Sequence, residues 1–215
     1  MSAFDLSSPG QTSGVSRRIE GVVVGIVIDN QDPQGLARVK VKFPWLSDDD
    51  IGHWARIAVL MAGNQRGTYF LPEVGDEVLV AFELGDVAKP YVLGGLWNGV
   101  DAPPETNSNG SNDRRLIKSR SGHLVRLDDT NGSEKIEIID KSGNNSITVD
   151  ASSNTITIQS NQDINIQAPQ GKIKLSAQNV EISSTADTKV QAQGGLTLDG
   201  SPGNTTIKGS MVNIN

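Results

Sequence analysis

Acidic runs and two histidines are the residues of this sequence whose chemistry could serve catalysis or metal binding. Asp48-Asp49-Asp50 and Asp128-Asp129 place carboxylates side by side, and clustered carboxylates are used for calcium binding and for paired acid and base catalysis. The histidines, His53 and His123, lie seventy residues apart, and neither is flanked by a convincing Ser or Asp constellation. Because acidic runs in loops are usually solvated, we predict no catalytic, cofactor or metal site.

Three aromatic side chains raise a second possibility, the binding of nucleic acid. Trp45, Trp54 and Tyr69 could stack on bases. Residues 1–100, however, carry 8 basic and 12 acidic side chains, whereas a surface that binds polyanions needs an excess of positive charge. Trp45 and Trp54 also sit where barrel-core or inter-subunit packing would place them. We therefore expect no nucleic-acid partner.

The composition changes near position 98 and divides the chain into parts. All three Trp, both Tyr and three of the four Phe lie between positions 43 and 97, and the later half relies on Ile and Val among Asn, Ser, Thr and Gly. There is no cysteine and no apolar run long enough for a signal peptide or a membrane span, so we expect assembly in the cytoplasm. The predicted parts are a flexible arm (1–18), a folded domain (19–98), a linker or neck (99–121) and a repeat region (122–215).

The folded domain shows strand signals and no helical period. Strands are predicted at Ile19–Ile28, Ala37–Phe43, Trp54–Val59, Glu77–Phe82 and Pro90–Leu93. Five strands in about eighty residues are typical of a small closed barrel of the OB type. The predicted fold class is therefore all-β.

The repeat region carries pairs of apolar residues two positions apart, separated by polar turns, with a mean step close to eight residues. Such short strands cannot bury their apolar side chains alone. One chain could wind as a monomeric β-helix, or three chains could wind around one axis as a triangular prism. The monomeric form needs end caps, and no capping helix is visible. We predict an intertwined trimeric β-helix with a core of Ile136, Ile138, Ile147, Val149, Ile156, Ile158, Ile164, Ile166, Ile173, Leu175, Val180, Ile182, Leu196, Leu198 and Ile207.

The folded domain resembles a known family. The residues that carry the resemblance are Pro72–Glu83 (PEVGDEVLVAFE), Gly85-Asp86, Lys89–Gly94 (KPYVLG), Leu96-Trp97-Asn98, Gly35–Val41 with Trp45, and Trp54–Ile57. They are similar to the OB domain of contractile-tail spike proteins: phage baseplate assembly protein V, the central spikes of myophages and the VgrG proteins of type VI secretion. We expect the compact form of such spikes, with neither a hub region before the OB domain nor an effector after the repeats.

The resemblance implies a function and a set of partners. It implies a non-enzymatic homotrimer that binds a hub protein at its OB end and pierces a target envelope when a sheath contracts, touching the membrane only transiently. It implies a component of a virion-like particle or injection apparatus, delivered outside the cell or into the target cell on firing. Two alternatives stay open: a trimeric tail fibre or receptor-binding module with an OB head, and a monomeric OB nucleic-acid binder with a disordered polar tail.

The resemblance also directs attention to the end of the repeats and to the neck. Some spikes of this kind close their apex with a metal ion held by a His-x-His motif, which is absent here because both histidines lie far upstream. An apolar end invites a partner, so we predict that a PAAR-repeat tip protein binds there. Basic neck residues are expected to brace the junction by pairing with acids of neighbouring chains. The tip interface is predicted at Met211, Val212, Asn213, Ile214 and Asn215, and the neck residues are Arg114, Arg115 and Lys118.

Overall fold

A computed structural model describes residues 18–46 and 51–213 of the chain. Most of the arm, the acidic run Asp48-Asp49-Asp50 and the last two predicted tip residues, Ile214 and Asn215, lie outside the described residues. The chain divides into two compact units, the first ending at Asn161 and the second beginning at Gln162.

A closed β-barrel occupies the first part of the first unit. The described residues 18–98 form seven strands, of which five build the barrel. These strands are β1 (Val22–Asp29), β2 (Val39–Lys42), β3 (His53–Ile57), β4 (Ala62–Gly63), β5 (Arg66–Gly67), β6 (Glu77–Phe82) and β7 (Pro90–Gly95). The barrel closes in the order β1-β2-β3-β7-β6, with β3 and β7 parallel and the other neighbours antiparallel. The predicted five-stranded barrel is confirmed. The β4–β5 hairpin, which lies between β3 and β6 in the chain, was not predicted.

Valine and phenylalanine fill the barrel because inward positions alternate along each strand. The buried core is Val27, Val39, Val41, Phe43, Ala55, Val78, Val80, Phe82 and Val92. A Cβ added at Gly25 would lie 2.3 Å from Cγ1 of Val41, so the close approach of β1 and β2 requires glycine here. Trp45 is 48% exposed and Trp54 is half-buried, so neither tryptophan belongs to this core.

A second sheet follows the barrel within the same unit. It consists of β8 (Arg114–Lys118), β9 (Leu124–Asp128), β10 (Lys135–Ile139), β11 (Ser146–Asp150) and β12 (Thr155–Gln159), in sequential antiparallel order. Three of the four connecting turns contain a glycine with positive φ, namely Gly122, Gly132 and Gly143, which tight hairpins favour.

The sheet differs from the sequence interpretation in two respects. The strand β8 lies inside the segment interpreted as a linker. The apolar pairs from Val125/Leu127 to Ile156/Ile158 lie on strands that hydrogen bond to each other within one chain, whereas the repeat was expected to obtain each wall from three chains. Each hairpin turn is short enough to return the strand beside its predecessor, which satisfies the backbone groups locally.

The second unit has a different local structure. None of the described residues 162–213 is assigned to a strand, and nearly all of their side chains are exposed. The trimeric β-helix of this segment therefore stays a prediction. Across residues 18–46 and 51–213, we find no helix of the length and apolarity needed to cross a bilayer.

Candidate assembly interface

The pairing register of β8–β12 aligns apolar side chains into two rows on the same side of the sheet. The first row is Ile117, Val125, Ile138, Ile147 and Ile158, and the second is Arg115, Leu127, Ile136, Val149 and Ile156. Residues two apart on a strand share a face, so both rows lie on one surface, which we call the apolar face. Six of the predicted trimer-core residues belong to it.

The apolar face is open to solvent in the single chain. Its nine aliphatic side chains are between 36% (Val149) and 72% (Ile156) exposed. Monomeric soluble proteins rarely leave a contiguous apolar patch of this kind uncovered, and a sheet is normally stable when its apolar face packs on another layer. The face is therefore a candidate for association.

The opposite face of the sheet is charged and internally paired. One row reads Leu116, Arg126, Glu137, Thr148 and Thr157. Nε of Arg126 donates to Oε2 of Glu137 at 2.7 Å, and Glu137 is only 8% exposed. The buried carboxylate of Glu137 is therefore compensated by Arg126 on the same face, as a buried charge requires. The exposed aliphatic side chains of the sheet all lie on the apolar face.

Arg114 and Asp128 form a second ion pair on the charged face. Nε of Arg114 lies 3.1 Å from Oδ2 of Asp128, and its Nη1 lies 3.1 Å from Oε2 of Glu105. The hydroxyl and the backbone N–H of Thr130 also donate to Asp128, at 2.5 and 3.1 Å. These Thr130 hydrogen bonds, together with Arg114, lower the pKa of Asp128 to about 2. The same arginine lowers the pKa of Glu105.

The predicted neck residues find partners that differ from the expectation. Nη1 of Arg115 donates to Oδ2 of Asp129 at 2.9 Å and to the carbonyl of Asn112 at 2.8 Å. Arg115, like Arg114, thus pairs with an acid of its own chain, whereas acids of neighbouring chains had been expected. Lys118 ends β8 with an exposed side chain. A role of these three residues in bracing the neck stays a prediction.

The other candidate residues that the structure describes do not converge on one site. The carboxylates of Asp128 and Asp129 each face an arginine, and no group of His, Cys, Asp and Glu suited to a metal ion occurs within residues 18–46 and 51–213. His53 lies on β3 of the barrel, whereas His123 precedes β9 and accepts the N–H of Lys141 through Nδ1 at 3.2 Å.

The predicted stacking aromatics lie in different surroundings. The guanidinium of Arg38 lies 5.7 Å from the ring centroid of Trp54 and is paired with Asp32 at 2.8 Å. That pair lowers the pKa of Asp32 well below its ordinary range. Tyr69 is 72% exposed beyond the β4–β5 hairpin, and Trp45 contacts the core through Phe43. The arginine over Trp54 is therefore already neutralised.

Comparison with known proteins bears on the barrel. Residues 23–97 match the sequence family described as the type VI secretion system/phage-baseplate injector OB domain. The type VI secretion system spike protein VgrG3 of Vibrio cholerae is 32% identical over 95 residues, and VgrG1a of Pseudomonas aeruginosa is 29% identical over 128. The barrel is thus similar to the OB domain of VgrG-like baseplate spike proteins. The predicted resemblance is confirmed.

The match to these spike proteins is partial in length. The aligned regions are 40% of this chain and 9% of VgrG3, and 54% of this chain and 20% of VgrG1a. The actin cross-linking toxin VgrG1 of Vibrio cholerae is 28% identical over 97 residues, which are 9% of that protein. The chain thus spans a fifth or less of the length of these relatives, and two of the three are named as spike proteins.

The second unit of this chain also carries exposed apolar pairs. Ile164, Ile173 and Ile207 are 52%, 54% and 65% exposed, and the other predicted core residues of the segment are exposed as well, namely Ile166, Leu175, Val180, Ile182, Leu196 and Leu198. Of the predicted tip residues, Met211, Val212 and Asn213 are described and exposed. Exposed aliphatic side chains therefore continue to the end of the described residues.

Sequence reasoning missed β8 as the first strand of this surface. The rule of paired apolar residues failed at β8 because Arg115 occupies the position where the other strands carry an aliphatic side chain, so Ile117 stands alone. The signal that could have found it is the Leu116-Ile117 pair between basic residues, followed by the turn at Gly122.

Proposed function

We propose that this chain is the structural central spike of a contractile injection system or phage tail baseplate and that it works as a homotrimer. The observation that carries the proposal is the apolar face, whose two rows of aliphatic side chains stay exposed in the single chain. The similarity of residues 23–97 to the baseplate-injector OB domain and to a type VI secretion spike protein supports the same conclusion. Three such faces around one axis would close a prism.

The free energy available from this closure is large. About half of the surface of the nine aliphatic side chains remains exposed, so covering it would contribute roughly 7–13 kcal/mol per chain at about 1.5–3 kcal/mol for each fully buried side chain. Association costs must be subtracted. The apolar pairs of residues 162–213 would add to this contribution when three chains wind together.

A rod built in this way suits a mechanical role. Strands stacked at about 4.8 Å would extend eleven repeats to roughly 50 Å. Edges paired along the whole rod leave no open strand for further association. Sheath contraction would drive such a narrow, stiff rod through the target envelope, with only transient contact to the membrane and no catalytic residue.

The proposal assigns a partner to each end. A hub protein would bind the barrel end, and a PAAR-repeat tip protein would bind Met211, Val212, Asn213, Ile214 and Asn215. Met211 and Val212 are exposed in the single chain, which supports the binding of a partner that would cover them. A chain lacking residues 205–215 should remain trimeric and lose the tip protein in reconstitution. A truncated trimer that still recruits the tip would contradict this assignment.

Electron microscopy of purified particles tests the function itself. A compact label attached to the chain should produce extra density on the axis of the baseplate, ahead of the inner tube. Density on peripheral fibres would support the receptor-binding alternative and overturn the spike proposal. The spike would be assembled in the cytoplasm and carried by the particle to its target.

A further inference from the structure

A groove on the barrel lies beside the β4–β5 hairpin, and none of its lining residues belongs to the apolar face. It encloses about 720 Å³, which is within the usual size of ligand clefts, about 300–1,000 Å³. Its lining includes Leu36, Met61 and Phe70, which are 63%, 54% and 62% exposed. Leu36 comes from the β1–β2 connection and the others from the chain between β3 and β6, so one concave apolar surface brings together distant parts of the sequence.

The groove is positively charged. Arg56 and Arg66 are its only charged lining residues in the part of the chain that the structure describes. A Cβ added at Gly63 would lie 2.9 Å from Nε of Arg66, so the glycine leaves room for this side chain across the hairpin. No described acidic group lies within ion-pair distance of Arg66. An apolar, cationic groove fits an apolar segment that carries a carboxylate.

The arm of this chain contains one segment of that chemistry. Phe4-Asp5-Leu6 holds the only acidic residue and the only aromatic residue among residues 1–17, with a leucine directly after them. Its alternation of apolar, acidic and apolar side chains matches a groove that has aliphatic and aromatic walls and an arginine at its edge.

The start of the barrel is connected to this groove through a series of contacts. The N–H of Ile19 donates to the carbonyl of Gly85 at 3.1 Å, and Glu83 in the same 3₁₀ turn accepts the hydroxyl of Tyr91 at 2.9 Å. The ring of Tyr91 lies 4.6 Å from the guanidinium of Arg56, which lines the groove. A short chain of contacts thus connects the start of the barrel to the proposed site.

The segment that joins Phe4-Asp5-Leu6 to the barrel has a considerable reach. Twelve residues separate Leu6 from Ile19. Fully extended they would span about 40 Å, and as a flexible linker they would have an average span of roughly 20 Å. Tethering of this length gives an effective concentration of about a millimolar, which favours occupancy by a weakly binding segment.

We propose that the Phe4-Asp5-Leu6 segment of the chain's own arm occupies this groove. Asp5 pairs with Arg66, and Phe4 and Leu6 cover the apolar lining around Phe70. The inference goes beyond the spike function and does not depend on trimer formation.

A labelled peptide of residues 1–10 tests the proposal by fluorescence anisotropy with the full-length chain. The chain carrying Phe4→Ser and Leu6→Ser should bind the peptide at least tenfold more tightly than the unchanged chain, because the unchanged arm already fills the groove. This difference should not depend on chain concentration, since the competing segment is tethered. A peptide of the same composition in scrambled order is the matched control.

Charge exchange identifies the site. In the Phe4→Ser, Leu6→Ser chain, Arg66→Glu should weaken peptide binding at least tenfold, and a peptide with Asp5→Arg should regain affinity for the Arg66→Glu chain. Lys42→Glu, a charge reversal outside the described groove lining, should leave binding unchanged. Circular dichroism melting of both variants separates a loss of binding from a loss of folding, and rescue by the exchanged peptide is itself proof of a folded site.

Three results would overturn the proposal. The first is the absence of saturable peptide binding, and the second is equal binding by the Arg66→Glu and Lys42→Glu chains. The third is a fall in the number of associated chains when Phe70→Ser is introduced, because the groove would then belong to an interface between copies.

Discussion

Ile158 and Thr157 are neighbours on β12 whose side chains lie on opposite faces of the sheet. Ile158 belongs to the apolar face and is 58% exposed, and Thr157 is exposed on the charged face. Aspartate at either position adds the same charge to the same strand. The pair therefore tests whether the apolar face is the surface that associates.

The expected magnitude follows from the exposed fraction of Ile158. Covering this fraction contributes roughly 1–2 kcal/mol per chain, so Ile158→Asp removes about 3–5 kcal/mol from a trimer and also buries three uncompensated carboxylates. The association constant should fall by at least two to four orders of magnitude, at about 1.4 kcal/mol per factor of ten. The fold of the single chain should change far less, because the side chain is mostly exposed there.

Sedimentation velocity over a range of concentrations measures this effect. Ile158→Asp should shift the chain to a monomer at micromolar concentration, whereas Thr157→Asp should sediment like the unchanged protein. Equal behaviour of the two variants, or dissociation by Thr157→Asp alone, would refute the assignment of the apolar face.

Three further predictions concern the barrel, the charged face and the neck. Gly25→Ala should destabilise the barrel by about 1–3 kcal/mol through overpacking, measured by chemical denaturation, while Gly94→Ala, whose added Cβ meets no atom within 4 Å, should cost much less; equal effects would contradict the packing account. The pKa of Asp128 is lowered from 3.8 to about 2 in the folded chain, so its stabilising effect is present above pH 4 and is lost as the pH falls towards 2. Asp128→Asn should flatten the pH dependence of Tm in that window, and an unchanged slope would show that other groups cause it. Replacing Arg115 and Lys118 by glutamate should lower the Tm of the trimer. An unchanged Tm would show that these residues do not brace the neck.

The barrel could be predicted from the sequence because its signals are local. Glu77–Phe82 is a short and almost entirely apolar run rich in valine between turn residues, and the structure has a strand over the same six residues. The β4–β5 hairpin escaped prediction because strands of two residues, Ala62–Gly63 and Arg66–Gly67, carry too little pattern.

The repeat identified which side chains share a face but not how the strands pair. Periodicity of two places Ile136 and Ile138 on one side of a strand, whether the hydrogen-bonded neighbour belongs to the same chain or to another. The structure assigns β9, β10, β11 and β12 to neighbours within one chain, which depends on turns such as that at Gly143. The groove escaped prediction for a different reason, since Leu36 and Phe70 meet only when the barrel closes.

The mass of the unchanged full-length chain in solution tests the central claim most directly. Size-exclusion chromatography with light scattering should give three times the chain mass of 22.8 kDa, at concentrations down to the micromolar range. A single species of 22.8 kDa would contradict the account, because the apolar face would then be stable in water without a partner. A two-chain species would also contradict it, because it would show that the face is covered by one neighbour rather than by the two of a prism.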